Sequence, residues 1–541
     1  MQQKRTAHHK RVKNIVVPGL LFSAGIGAVT GALIFLFKVV SSYLIHRSEE
    51  IYAYVRQNPH RLWMLLCGAL VLGLVSGLIL RRAKDCRGGG IPTAVASIRG
   101  LVPMRWLQSI FVLFLSSMCT YLGGVPLGNE GPSVQMGTAV GKGATECIGR
   151  NNRRWERYTM TGGACAGFAA ATGAPLTGVL FALEEAHRRF TPMLFMVASV
   201  SVTTASIAQA WLSHLFSVDT TFFDFVIHDP MPARYLWAAI LIGLLCGLFA
   251  LLLTWTYRRA RAFSTKRLGK APFLLKIAIL FVAVSVLGFV SGAFIGSGHS
   301  LIESLIRGHS LWYVLLAALI IRALLLVFAN GEGVTGGVFV PTLALGAILA
   351  AIVADSLVSL GAVDPAYRAV LIAVGMTAFL AASSRTPVTA LAFAAEALCG
   401  VNNIIPLGIG VTVAYLIVEL SGTVAFTDTV IEAKTEDAHR GKTPVIVDTH
   451  MVVQEDSFAV GKETRDILWP PTCAVLSVDK SKSHSRNHFT YLESGDVLHL
   501  HYQTYDPEAT MRTLTYILGV QPMDPDVRTH LGSEDHCVPL E

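Results

Sequence analysis

The strongest constraint on this chain is a series of apolar runs, each near the ~20 residues that an α-helix needs to span a bilayer. Clear examples are Ile15–Val40, Leu62–Leu80, Leu107–Val125, Tyr235–Tyr257, Phe273–Ile295 and Leu311–Asn330. In lipid every backbone N–H and C=O must be satisfied inside the segment, so these runs read as helices. Of 541 residues, 52% are hydrophobic and only 15% charged, where an ordinary soluble domain carries about 25%. The expectation is an all-α polytopic membrane protein. Ile15–Val40 is too long for a signal-peptide core and no small-residue cleavage pattern follows it, so it is expected to be retained.

The formal charge of +8 sits in ends and loops: Lys4, Arg5, Lys10, Arg11 and Lys13; Arg81, Arg82, Lys84 and Arg87; Arg258, Arg259, Arg261, Lys266, Arg267 and Lys270. The positive-inside rule accounts for these clusters and places them in the cytoplasm. A nucleic-acid partner is not expected. Nine cysteines form no CxxC or disulfide framework. Cys67, Cys119, Cys165, Cys246 and Cys399 are expected to be buried as small hydrophobes.

Two stretches repeat. Gly173–Glu184 and Arg385–Glu396 share Pro, Thr, Phe, Ala and Glu at a constant offset of 212, and Gly131-Pro132 with Gly137 matches Val340-Pro341 with Gly346 at an offset of 209. The membrane part is therefore expected to be two related halves, about 15–225 and 230–435, as in many transporters. Glycine and proline interrupt the apolar runs at Gly88-Gly89-Gly90-Ile91-Pro92, Gly128-Asn129-Glu130-Gly131-Pro132 and Gly336-Gly337-Val338-Phe339-Val340-Pro341. Helix N-termini at such breaks offer unpaired N–H groups and partial positive charge, enough to hold an anion without a lysine that would bind it too tightly to release. Glu130 is an ionisable group at membrane depth, where a charge costs about 2.5–3.5 kcal/mol or more, so its default reading is functional.

Those three motifs, in order and spacing, resemble the anion-filter motifs of the CLC chloride channels and transporters, and Gly173–Glu185 resembles that family's proline-led helix ending in paired glutamates. The resemblance covers about residues 15–435. It implies an antiparallel, inverted-repeat helical bundle and a homodimer with one pore per subunit. It makes Glu130 the external gating glutamate and Glu185 the internal, proton-relaying one. Backbone groups of Gly89, Gly90, Ile91, Gly128, Asn129, Gly131, Val338 and Phe339, with Thr427, would line the anion path. Having both glutamates favours a chloride-type anion/proton antiporter over a passive CLC channel, which is the first alternative. Three positions depart from the family pattern: the usual filter serine is Gly89, the pore tyrosine falls near Thr427, and the often basic residue before the gate is Asn129. Anion preference and strictness of coupling turn on these positions.

Other readings compete. Glu130 as a plain helix cap and Glu184-Glu185 as a solvated helix end are structural alternatives. Glu184 and His187 have Glu-x-x-His spacing, so a membrane-embedded metal enzyme is the alternative from another class. The repeat copy, however, has Glu396 followed by Cys399 in place of the histidine. No metal and no cofactor are expected, nor is an enzyme. Glu396 reads as a structural pairing residue, and Arg322 as a residue that pairs or reaches an interface.

After about Glu436 the composition turns polar. Cys473–Val478 and Asp496–Tyr502 read as strands, and Val460–Leu468 and Ala509–Leu518 as helices. Residues 445–520, with Ser457–Lys462, Asp466–Pro471 and Gly495–Leu498, resemble the TrkA-C (RCK C-terminal) lobe. The resemblance implies a small α+β cytoplasmic module that binds a small ligand or dimerises. His484, His488, His499 and His501 could suggest metal, but alternation of His499 and His501 fits one solvent-facing strand surface. Segments 1–14 and 521–541 are a basic cytoplasmic N-terminus and a tail. The whole is expected in a bacterial inner membrane with both termini cytoplasmic.

Overall fold

The computed structural model describes residues 17–88, 90–148, 155–219, 221–225, 227, 230–267, 271–308, 311–398, 401–455, 457–480 and 491–520. Segments 1–16 and 521–541, with Gly89, Lys270, Cys399, His484 and His488, lie outside the described residues. In chain order the helices are α1 (Val17–Gln57), α2 (Leu62–Arg82), α3 (Gly90–Ile98), α4 (Trp106–Leu122), α5 (Glu130–Ile148), α6 (Glu156–Thr172), α7 (Pro175–Phe181), α8 (Pro192–Phe216), α9 (Leu236–Arg267), α10 (Phe273–Val290), α11 (His299–Arg307), α12 (Trp312–Gly331), α13 (Phe339–Ser359), α14 (Arg368–Ser384), α15 (Pro387–Ala397), α16 (Ile404–Leu420) and α17 (Phe426–Ala438). Then follow strands β1 (Val445–Val452), β2 (Ala474–Asp479) and β3 (Val497–Thr504) and helix α18 (Pro507–Leu518).

Among the described residues, eight helical segments are long and apolar enough to cross a membrane. Three of them, Pro192–Phe216, Phe339–Ser359 and Pro365–Ser384, are not among the clear apolar windows of the sequence. The last is 83% buried inside the protein, against 22% for Pro59–Arg82. A span that faces protein tolerates Ala, Ser and Thr, which weakens its apolar signal. The window Leu107–Val125 is shorter as a helix: α4 stops at Leu122, where Gly123 and Gly124 intervene and Gly124 takes φ +70° under the Tyr52 ring. Cys165 and Cys246 are buried, but Cys67 is exposed and Cys119 half-buried. Cys67 lies on α2, a helix that mostly faces outward, so apolar surroundings there do not mean burial by protein.

The duplication extends over whole elements. Helices α3, α5, α6, α7 and α8 recur as α11, α13, α14, α15 and α16 at offsets of 209 for the first two and 212 for the rest. Contacts between the halves are reciprocal, as a pseudo-twofold relation requires. The Glu184 carboxylate accepts hydrogen bonds from Val388 N (2.9 Å), Thr389 N (2.6 Å) and Thr389 Oγ1 (2.6 Å). Glu396 accepts from Leu176 N (2.7 Å), Thr177 N (2.8 Å) and Thr177 Oγ1 (2.6 Å). Each half thus caps the proline-led helix of the other, satisfying N–H groups left open at a helix start. Within each half two helices cross backbone to backbone. A Cβ on Gly163 would lie 2.0 Å from Gly137 O, and one on Gly346 would lie 2.3 Å from Gly375 O. Only glycine permits that approach.

The C-terminal lobe is a three-stranded antiparallel sheet in the order β1-β3-β2, with Val445 opposite Thr504 and Val452 opposite Val497. Its own core includes Val447, Leu498, Leu500, Leu514 and Ile517. On β3 the buried residues Leu498, Leu500 and Tyr502 alternate with half-exposed His499 and His501, which pair with Asp479 and Asp448. Val460–Leu468 is not a helix. It holds turns and a 3-10 turn at Thr464–Asp466. Gly461 takes φ +74°, and Gly461 N and Lys462 O bond to Leu492. Tertiary contacts there override the helical spacing.

Candidate functional site

The segment entering α5 is held from several sides. Tyr121 Oη donates to Gly128 O (3.0 Å), and Gly128 and Gly337 form an antiparallel bridge, with N···O distances of 2.9 and 2.7 Å. These two glycines are equivalent in the two halves, so the bridge lies at the pseudo-twofold axis. α5 begins at Glu130 and α13 at the equivalent Phe339. Glycines then bring the three motifs together. A Cβ on Gly90 would lie 2.2 Å from the Gly131 Cα, and one on Gly131 would lie 2.5 Å from the Gly337 Cα. Segments about 40 and 210 residues apart in the chain meet at one point, with Ile91, Val338 and Phe339 buried around it. Gly89 lies outside the described residues.

Glu130 is 0% exposed. Its carboxylate folds back over Gly128, where Oε2 lies 2.2 Å from the place a Cβ would take. Its nearest backbone donors are its own N–H and that of Val340, at the starts of α5 and α13. Neither oxygen reaches hydrogen-bond geometry with any described group. A charge there would meet the field of two helix N-termini rather than a fixed hydrogen-bond partner. The neighbouring Asn129 turns its side-chain amide toward α1, with Nδ2 3.4 Å from Ser41 Oγ. Phe339 stands edge-on to Phe168 (5.1 Å) and to Phe393 (5.0 Å).

Glu185 belongs to a second group. It lies in a π-helical turn, Ala182–Ala186, a local irregularity frequent at functional sites. Arg99 Nη2 donates to Glu185 O (2.8 Å) and Arg99 Nε to Ala186 O (3.0 Å). Asp428, Arg99, Glu184 and Arg188 all act on the Glu185 carboxylate. Thr427, 6% exposed, is the second residue of α17, and the adjacent Asp428 pairs with Arg188. Glu184 and His187 face different partners, since His187 Nε2 bonds to Thr161 Oγ1 (2.8 Å). Among the described residues no group of three or more His, Cys, Asp or Glu is placed to hold a metal ion. Arg322 donates to the carbonyls of Ala293, Ile295 and Gly296.

The sequence reading passed over one residue. Lys38, 7% exposed, acts electrostatically on Glu130 from α1. Its signal was a lone lysine inside Leu36-Phe37-Lys38-Val39-Val40.

Residues 72–419 match the family described as voltage gated chloride channel. An H(+)/Cl(-) exchange transporter, ClcA, of Klebsiella pneumoniae strain 342 is 26% identical over 76% of this chain and 88% of that protein. The protein of the same name from Cronobacter sakazakii is 29% identical over 74% and 87%. Among solved structures, a slow cyanobacterial Cl−/H+ antiporter shares the fold with a TM-score of 0.70 at 23% identity, covering 78% of this chain and 99% of its own. A CLC-type fluoride/proton antiporter does so with a TM-score of 0.63 at 20% identity, over 76% and 98%.

Proposed function

Because the chain belongs to the voltage gated chloride channel family, we propose that it is an integral membrane antiporter that exchanges a chloride-type anion for protons, with Glu130 as the proton-linked gate. The observation that carries this reading is the Glu130 carboxylate, buried without a hydrogen-bond partner among the described groups at the meeting point of three glycine motifs. A carboxylate there and a small anion need the same N–H groups and the same partial positive charge. Protonation removes the charge that holds Glu130, and an anion takes the place it leaves. Occupancy by one or the other links the two flows. The backbone of Gly89, Gly90, Ile91, Gly128, Asn129, Gly131, Val338 and Phe339, with Thr427, forms the anion path. Glu185, among Arg99, Arg188 and Asp428, passes protons to the cytoplasmic side. The exchange activities named for the relatives support the same reading.

A passive channel is the second reading, favoured by Gly89 and Thr427 where the family resemblance expects a hydroxyl and a phenol. Sealed proteoliposomes separate the two. An outward chloride gradient drives protons inward against their own gradient in an exchanger. A reversal potential at the chloride Nernst value, insensitive to pH, rules exchange out. Two copies assemble, each with its own pathway. The membrane is the bacterial inner membrane, with both termini in the cytoplasm. The C-terminal lobe is a TrkA-C-like module taking a small ligand.

A further inference from the structure

Glu184 and its repeat partner Glu396 stand 212 residues apart, but their surroundings differ in charge. Beside Glu184 an open cavity of about 540 Å³ is lined by Arg188, Arg189 and Arg385, with Tyr415 and Glu419 of α16. At the same offset, the counterparts of Arg189 and Glu419 are Val401 and Ile207, and those of Arg188 and Arg385 are Gly400 and Gly173. The fold itself therefore does not require the arginines. Two of them also occupy backbone that glycine takes more easily. Arg188 has φ +51° and Arg385 φ +56°, in the left-handed region where Gly173 stands at +68°. Gly400 lies outside the described residues. An arginine kept in such a conformation is kept for what its side chain reaches.

Positive charge is left over in this cavity. The Glu184 carboxylate is taken up by the start of α15, and Arg188 pairs with Asp428. Arg385 Nη2 donates to Thr423 O (2.8 Å), while its Nε, 3.5 Å from Glu419 Oε2, makes no hydrogen bond among the described residues. Arg189 has no hydrogen-bond or ion-pair partner among them and is exposed. Apolar surface adjoins the charge. Phe190 and Val388 also line the cavity and are exposed, as are Leu416 and Leu420, the neighbours of Tyr415 and Glu419 on α16. The membrane-crossing helix α8 begins two residues after Phe190.

We propose that this cavity holds the phosphate of an anionic membrane lipid. The arginines donate to the phosphate oxygens, Tyr415 adds a hydroxyl, and the acyl chains lie along the exposed apolar residues. The volume is in the range of small-molecule sites. A second copy of the chain fits less well, because a twofold axis would set the same arginines against these. The site stands whether or not the chain exchanges protons.

Native mass spectrometry of the full chain, released from detergent with phosphatidylglycerol, phosphatidylcholine or inorganic phosphate added, counts bound molecules and copies of the chain in one spectrum. Phosphatidylglycerol is retained in preference to phosphatidylcholine, and phosphate alone does not bind. Arg385→Gly and Arg189→Gln each weaken phosphatidylglycerol retention about fivefold. Arg385→Gly keeps the fold, since Gly173 holds the equivalent backbone in the other half. Arg259→Gln, an exposed arginine of α9, leaves retention unchanged. Equal retention of phosphatidylcholine overturns the proposal, as does phosphate alone binding as tightly as the lipid. Retention unmoved in both cavity variants, or weakened equally in Arg259→Gln, overturns it too. A shift of the cavity variants from pairs to single copies with lipid retention unmoved assigns the cavity to a second copy instead.

Discussion

At the scale of single residues, the account turns on what sits over Gly128. Removing the titratable carboxylate while keeping its shape, as in Glu130→Gln, is expected to abolish proton movement and leave anion flux, read by a pH electrode and a chloride electrode on the same vesicles. Gly128→Ala tests the seat from below. The added Cβ would fall 2.2 Å from Glu130 Oε2, so the carboxylate must leave. The expected result is a folded protein whose proton-to-anion ratio drops, whereas an unchanged ratio would mean that the seat is elsewhere. That Glu130 stands out was legible in the sequence, because a carboxylate between glycines inside an apolar run is costly. Lys38 was harder to see. A lone lysine in an apolar run marks it, but that run does not tell that its turn meets Asn129, about 90 positions away.

At the scale of elements, helices and their junctions record the duplication. The duplication could be read from spacing, and the change of offset from 209 to 212 has a plain cause. The stretch from the start of α13 to the start of α14 is three residues longer than its counterpart from α5 to α6, and α13 spans 21 residues against the 19 of α5. What spacing did not disclose is that Glu184 and Glu396 serve as caps across the two halves. Replacing either by alanine leaves two backbone N–H groups and a threonine hydroxyl without their acceptor. Caps of this kind contribute about 1 kcal/mol, up to 2. Glu184→Ala and Glu396→Ala should therefore lower the melting temperature by similar amounts; an effect confined to one of them would contradict the reciprocal arrangement. Gly163→Val, which would drive a side chain into the Gly137 carbonyl, should prevent accumulation of folded protein altogether. In the C-terminal lobe the strands β2 and β3 were legible from alternation. The supposed helix at Val460–Leu468 was not, because its conformation is set by partners distant in sequence, Leu492 and the start of α6.

At the scale of the whole molecule, the lobe is fastened to the start of α6. Arg157 donates to the carbonyls of Leu468 (3.3 Å) and Trp469 in the lobe, and on its other side to Ile98 O (2.9 Å) and Arg99 O (2.6 Å) at the end of α3. Arg99 in turn holds the carbonyls of Glu185 and Ala186. Tyr158 Oη donates to Asp466 O (2.8 Å), and Phe458 stands against Trp155 (5.5 Å) and Tyr158 (6.0 Å). The start of α3 touches the segment of Glu130 through Gly90 and Gly131, and its end meets Arg157 and, through Arg99, the turn of Glu185. Arg157→Ala is expected to raise hydrogen exchange across 457–469 while β3, held by the lobe's own core, stays protected. Equal loss of protection in both would mean that the lobe does not fold independently of its dock.

The central claim is that one place serves both the carboxylate and the ion. Anomalous scattering from bromide-soaked crystals tests it directly, comparing the wild type at neutral pH with Glu130→Ala. The account predicts a bromide peak in the variant within hydrogen-bond reach of the free N–H groups at the starts of α5 and α13, where the wild type has its carboxylate and no bromide. A bromide peak beside a seated carboxylate in the wild type, or none at that place in the variant, would contradict it.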